Sequence, residues 1–107
     1  MKTQDFIVIN NLNIGVTTVA FSKNLTLINK LKDLGFKNVY INEAQKRFTE
    51  DELIIFLNKC DIAIIGLDKI TNEVLRKVPN LKVISKYGVG LDNIDVEECN
   101  KRNVKIL

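Results

Sequence analysis

After its first residue the segment Asp61-Ile-Ala-Ile-Ile65 is apolar without interruption. A strand of that composition needs cover on both faces, and sheets covered on both faces are typically parallel. Parallel strands need long crossover connections, so the rest of the chain must alternate strand with helix. It does so: Ile14-Gly-Val-Thr-Thr18, Val39-Tyr-Ile41, Leu81 to Ile84 and Val104-Lys-Ile-Leu107 are further short apolar runs, separated by stretches with apolar residues at helical spacing. The strand-to-strand repeat of about 20 residues predicts an α/β fold: a doubly wound parallel sheet of about five strands with right-handed crossovers and helices on both faces. The 107 residues suffice for one such domain and its core. Phe6-Ile-Val-Ile9, followed by Asn10, Asn11 and Asn13, reads either as an edge strand or as an ordered lead-in.

Capping residues mark the helices. Asn24 stands before a stripe of Leu27, Ile28, Leu31 and Leu34 that Gly35 ends. Thr49-Glu-Asp-Glu52 is a capping box opening a helix to about Lys59, since the threonine hydroxyl and Glu52 can satisfy each other's backbone N–H groups. Thr71 caps a shorter helix with Val74, Leu75 and Val78, closed by Pro79, and Asp95-Val-Glu-Glu98 makes another box-like start. Val19 to Asn24 reads as a loop.

Ligands of doubly wound sheets sit beyond the carboxyl ends of the strands. The connections at Val19 to Asn24, Leu67 to Thr71 and Tyr87 to Asn93 are therefore expected to line one edge. Within the last of them, Gly88-Val-Gly90 removes side chains where the chain leaves a strand, so backbone N–H groups can approach a small anion. The spacing departs from the dinucleotide fingerprint: its third glycine position is Asn93, and Leu107 is reached before an acidic ribose partner falls due. The stretch is either a small-anion loop or a plain tight turn.

Lys82-Val-Ile-Ser-Lys-Tyr-Gly-Val-Gly-Leu-Asp-Asn-Ile-Asp-Val96, followed by a short helix and Val104-Lys-Ile-Leu107, resembles the end of the substrate-binding domain of the D-isomer-specific 2-hydroxyacid dehydrogenases, phosphoglycerate dehydrogenase-like members above all. Ala63-Ile-Ile-Gly-Leu-Asp-Lys-Ile-Thr71 is similar to that family's third strand and following loop, and Ala20-Phe-Ser-Lys-Asn24 to its first loop. The resemblance runs from about Asn13 to the end. It implies that residues 1–107 are the substrate-binding domain of an NAD-dependent enzyme that oxidises or reduces a small 2-hydroxy or 2-keto acid. It also implies that the cofactor-binding domain, with the histidine acid/base, its acidic partner and the substrate-binding arginine, is missing from this chain. The chain holds no histidine, so alone it is expected neither to turn over nor to bind NAD. By the same resemblance the amides of Val89 and Gly90 hold the substrate carboxylate and Gly88 shapes the loop. Lys69 stands where some phosphoglycerate-using relatives place a basic residue against the phosphate; it is either that or a solvated lysine. Lys86 faces the cleft or points away, Ser22 and Asn24 can add hydrogen bonds although Asn24 also suits a cap, and Asp92 and Asn93 can fix the loop by Asx-type bonds.

Sixteen basic against thirteen acidic side chains, interspersed along the chain, give no basic block for nucleic acid. No apolar run approaches a membrane span and no signal-peptide pattern opens the chain. Cys60 and Cys99 lack paired ligand spacing and are expected buried and reduced in a cytoplasmic protein, with no metal site. Two other uses of the fold fail at their diagnostic positions. A phosphorelay receiver needs acidic residues where Thr17-Thr18 and Gly66-Leu67 stand, and a flavodoxin needs glycine in Val19-Ala-Phe-Ser22. The ending within an apolar strand reads as a truncation that leaves surface for the missing domain or another chain. The alternative is a stand-alone flavodoxin-like module that binds a small anion or a protein.

Overall fold

The computed structural model describes residues 11–107, so the reading of Phe6–Ile9 lies outside the described residues. Five strands form one sheet: β1 (Asn13–Val16), β2 (Asn38–Ile41), β3 (Ile62–Ile65), β4 (Val83–Lys86) and β5 (Lys105–Ile106). All pairings are parallel and the order is β2-β1-β3-β4-β5. The helices are α1 (Val19–Lys23), α2 (Leu25–Asp33), α3 (Glu50–Leu57), α4 (Asn72–Lys77) and α5 (Val96–Lys101).

The two faces of β3 explain its composition. Ile64 packs with Ile14, Val16, Phe21 and Ile28, under α1 and α2. Ala63 and Ile65 face the larger layer, with Leu53 and Leu57 from α3, Val74 and Leu75 from α4, and Cys99 from α5. Alternate residues thus enter different cores, and no position on the strand is left for a polar side chain. Gly15, on β1, lets α3 come close: a Cβ there would overlap Cys60 Sγ and stand 2.8 Å from the Phe56 ring.

Each predicted cap is in place. Asn24 accepts from the Leu27 amide at 3.2 Å, Thr71 from Val74 at 3.2 Å, and Thr49 and Glu52 complete the reciprocal box. At Asp95 only half of the box forms, since Asp95 accepts from the Glu98 amide while the Glu98 carboxylate turns to Arg102 Nε at 3.1 Å. The connection expected as a loop at Val19 to Asn24 is instead α1. Thr18 caps it, accepting from the Phe21 amide at 3.1 Å, and Val19-Ala-Phe-Ser-Lys23 contains no glycine or proline to prevent the turn. Asn24 both closes α1, its N–H donating to Phe21 O, and opens α2. Both cysteines are buried free thiols; Cys99 lies in α5, whereas Cys60 follows the end of α3 rather than lying within a helix.

Burial pushes the Cys60 thiol up to about 11 from its ordinary 9.0, with Asp61 adding and Lys59 opposing. A raised folded-state pKa means the folded chain holds this proton longer than the unfolded one. The associated stability is complete below the ordinary value and is lost as the pH rises toward about 11. Urea midpoints scanned across this alkaline window are expected to fall less steeply for Cys60→Ala than for the parent chain, the lysines and tyrosines being common to both.

Candidate functional site

Strand order makes the cleft. From β1 the chain crosses to β2 on one side and later returns to β3 on the other, so the segments after β1 and β3 diverge and leave a crevice between them. Thr17, Thr18, Val19 and Ala20 form one wall of a space of about 270 Å³, Gly66, Leu67 and Asp68 the other, and Tyr87 and Arg47 complete the lining. Tyr87, at the end of β4, is held by its own amide on Ile65 O at 2.7 Å and by an edge-on contact with Phe21 at 5.3 Å between ring centres.

A layer of hydrogen bonds supports the floor. Thr17 Oγ1 donates to Asp68 Oδ2 at 2.5 Å, and the Gly66 amide approaches the same oxygen at 3.4 Å. Beneath them Asn42 Nδ2 donates to Thr17 O and Lys46 O at 2.8 and 2.7 Å. Ser22 belongs to this supporting layer: it is buried, donates to Val16 O and accepts from the Asn42 amide. Its hydroxyl is therefore committed to bonds inside the fold.

The glycine loop stands at the rim. Gly88 and Gly90 have φ of +124° and +81°, which side-chain-bearing residues rarely adopt, and open space surrounds both. Val89 between them is 97% exposed. Among the described residues the amides of Gly88, Val89 and Gly90 have no acceptor. Successive unpaired N–H groups at a strand end form an anion-receptive concavity.

Asn93 fixes this loop to its neighbour. Its Nδ2 donates to Gly66 O at 2.8 Å and Asp68 O at 2.7 Å, and its Oδ1 accepts from Lys86 Nζ at 3.0 Å. The backbone continues the join, with the Ile70 amide on Asn93 O and the Asp95 amide on Ile70 O. The Asx-type local bonds expected of Asn93 are replaced by bonds to residues 25 and 27 positions away, because the neighbouring loop presents two carbonyls side by side. Lys86 is thereby drawn to Asn93 and is not among the residues that line the cleft. Lys69 is exposed and lines two neighbouring grooves rather than the cleft, while Asp68 before it and Ile70 after it turn inward.

Of the sequence candidates, Gly88, Val89 and Gly90 come together at the rim, and Lys69, Lys86 and Ser22 do not join them. Thr17, Arg47, Asp68 and Tyr87 line the cleft without having been singled out as ligand groups. Arg47 sits in an irregular connection, its Nη2 on Leu67 O at 2.8 Å, with no motif to mark it. For Tyr87 the signal was adjacency to the glycines.

An all-parallel sheet in this order, with a cleft at its reversal point and a glycine loop on the rim, defines a doubly wound α/β domain, a class whose ligands sit at that edge. Residues 14–107 match the family described as D-isomer specific 2-hydroxyacid dehydrogenase, catalytic domain, and the chain belongs to that family. It is 34% identical over 65 residues to a hydroxypyruvate reductase of Thermotoga maritima, covering 60% of this chain and 21% of that protein. It is 49% identical over 39 residues to a glyoxylate reductase of Thermococcus litoralis, covering 36% of this chain and 12% of that one. The fold is similar to the crystal structure of NAD+-bound 3-phosphoglycerate dehydrogenase of Entamoeba histolytica, with a TM-score of 0.74 and 25% identity over 90% of this chain and 32% of that one. The chain thus spans only a minor part of the length of these relatives.

Asn93→Asp removes both donors and sets a carboxylate against two carbonyl oxygens. It is expected to lower stability by about 1–3 kcal/mol, and to speed amide exchange in Gly66–Ile70 and Tyr87–Ile94 together, as measured by urea unfolding and hydrogen exchange.

Proposed function

We propose that residues 1–107 are the substrate-binding domain of an NAD-dependent D-2-hydroxyacid dehydrogenase acting on a small 2-hydroxy or 2-keto acid. The observation that carries this reading is the row of amides at Gly88, Val89 and Gly90, unpaired among the described residues, on a loop that Asn93 pins to the cleft wall. A carboxylate received by the Val89 and Gly90 amides leaves C2 of the acid at the rim, with its tail toward Tyr87 and the cleft. Leu67, Tyr87 and Val89 are exposed apolar side chains around that mouth, suited to shedding water when a second surface closes on it. Two of the relatives are named for reduction of hydroxypyruvate and glyoxylate, which are small 2-keto acids, and this supports the substrate class.

The described residues do not fit a dinucleotide. Asn93 occupies the place of the third fingerprint glycine, and its side chain fills the junction where a pyrophosphate would approach. We therefore assign the nicotinamide, which supplies or takes up hydride, to a cofactor-binding domain outside these residues. No histidine stands in the 107 residues, and the group that moves the hydroxyl proton is assigned to that domain as well. The chain's own part is to bind the carboxylate, orient C2 and limit water. A reducing, cytoplasmic setting belongs to this reading, supported by the free buried thiols of Cys60 and Cys99.

Titration of the ¹⁵N-labelled chain with D-glycerate is expected to shift the Val89 and Gly90 amides first, with no NAD-dependent turnover by the chain alone. Because a Cβ at Gly90 meets open space, Gly90→Val strains only the backbone, by about 1–3 kcal/mol. It is expected to keep the fold and weaken glycerate binding at least tenfold. Shifts confined to other parts of the chain, or binding unchanged in Gly90→Val, would remove the carboxylate site.

A further inference from the structure

We propose that Asp68 sets which acids this site accepts, admitting those with a neutral, hydrogen-bonding tail and disfavouring those that carry a second negative charge. The inference rests on the carboxylate site proposed at Val89 and Gly90. The loop after β3 alternates, so that Asp68, 7% exposed, turns inward while Lys69 turns to solvent. The acidic member of the pair, not the basic one, therefore lines the cleft.

The Asp68 carboxylate is held in place but not neutralised. Thr17 and Gly66 both donate to Oδ2, which fixes the side chain as an acceptor. Among the described residues no ion pair includes Asp68. Oδ1 takes no bond from a described residue, and it is not among the sealed unpartnered atoms, where only Asn42 Oδ1 stands. Among the described residues the spaces that Asp68 lines are the cleft and the adjoining groove beside Phe48, where Lys69 also stands.

Among the described residues one cation, Arg47, also lines the cleft, and its sign is the opposite. Arg47 is exposed and part of its guanidinium is committed to Leu67 O, so water and salt screen it, whereas a buried carboxylate is screened much less. Asp68 thus dominates the field inside the cleft. A hydroxymethyl tail gives its proton to Asp68 in a hydrogen bond to a charged acceptor, while a carboxylate or phosphate tail meets repulsion and has no donor there.

The test separates charge from size by pairing D-glycerate with tartronate, in which a carboxylate of similar volume replaces the hydroxymethyl group. Titrations followed at the Val89 and Gly90 amides near neutral pH are expected to give at least tenfold weaker binding of tartronate. Asp68→Asn, which keeps an oxygen for Thr17 and removes the charge, is expected to close most of that gap, a change that a merely structural role for Asp68 would not produce. Equal binding of the two acids by the parent chain overturns the proposal, as does a gap that survives in a folded Asp68→Asn chain. Should the variant not fold, the parent's preference decides alone. Absence of glycerate binding at the glycine loop is a different failure: it removes the carboxylate site, and this inference with it.

Discussion

β3 lies in the middle of the sheet with a helical layer on each face, and every other element is placed by the need to keep it dry and paired. Its backbone is satisfied by β1 on one side and β4 on the other, and its side chains enter the two cores alternately. Burial of a large side chain such as Ile65, Leu57 or Ile84 contributes about 1.5–3 kcal/mol, whereas a hydrogen bond around the cleft nets about 0.5–1.5 kcal/mol. The apolar layers therefore carry the fold, and the polar network selects one geometry for loops that those layers bring together.

The site follows from that division. Parallel pairing puts the carboxyl ends of β1, β3 and β4 on one edge, and the reversal of strand order between β2 and β3 opens a space there. Nothing in this arrangement alone would hold the glycine loop at a fixed distance from the loop after β3. Asn93 does so, with Lys86 orienting its amide so that both N–H groups face the two carbonyls. Among the described residues the loop amides stay unpaired, because the bonds that fix the loop are made by a side chain and by the backbone after Leu91. Rigidity and an open anion-receptive edge are thereby compatible.

Much of the architecture was legible because its causes are local or periodic. The continuous apolar run at Ile62–Ile65 needs a two-faced parallel sheet, and Asn24, Thr49, Thr71 and Asp95 mark helix starts through bonds within three residues. The turn at α1 is not legible in the same way, since Val19-Ala-Phe-Ser-Lys23 is too short for a periodic signal, and only the Thr18 cap announces it. The direction of the lysines was not legible for another reason: a long charged side chain in a ligand loop has the right chemistry whichever way it points.

By itself the sequence determined the parallel α/β class, the strand and helix order, the glycine loop and, through its motifs, the family. These depend on hydrophobic period, caps and residues that tolerate positive φ, all of which act over a few neighbours. Tertiary structure alone decided that Ser22 is buried, that Lys86 serves Asn93, that Asp68 faces the cleft while Lys69 faces water, and that Arg47 arrives there from a distant connection. Those outcomes depend on which side of a loop meets another loop. That is set by the packing of segments 20 or more residues apart, as the bond from Arg47 to Leu67 and those from Asn93 to Gly66 and Asp68 record.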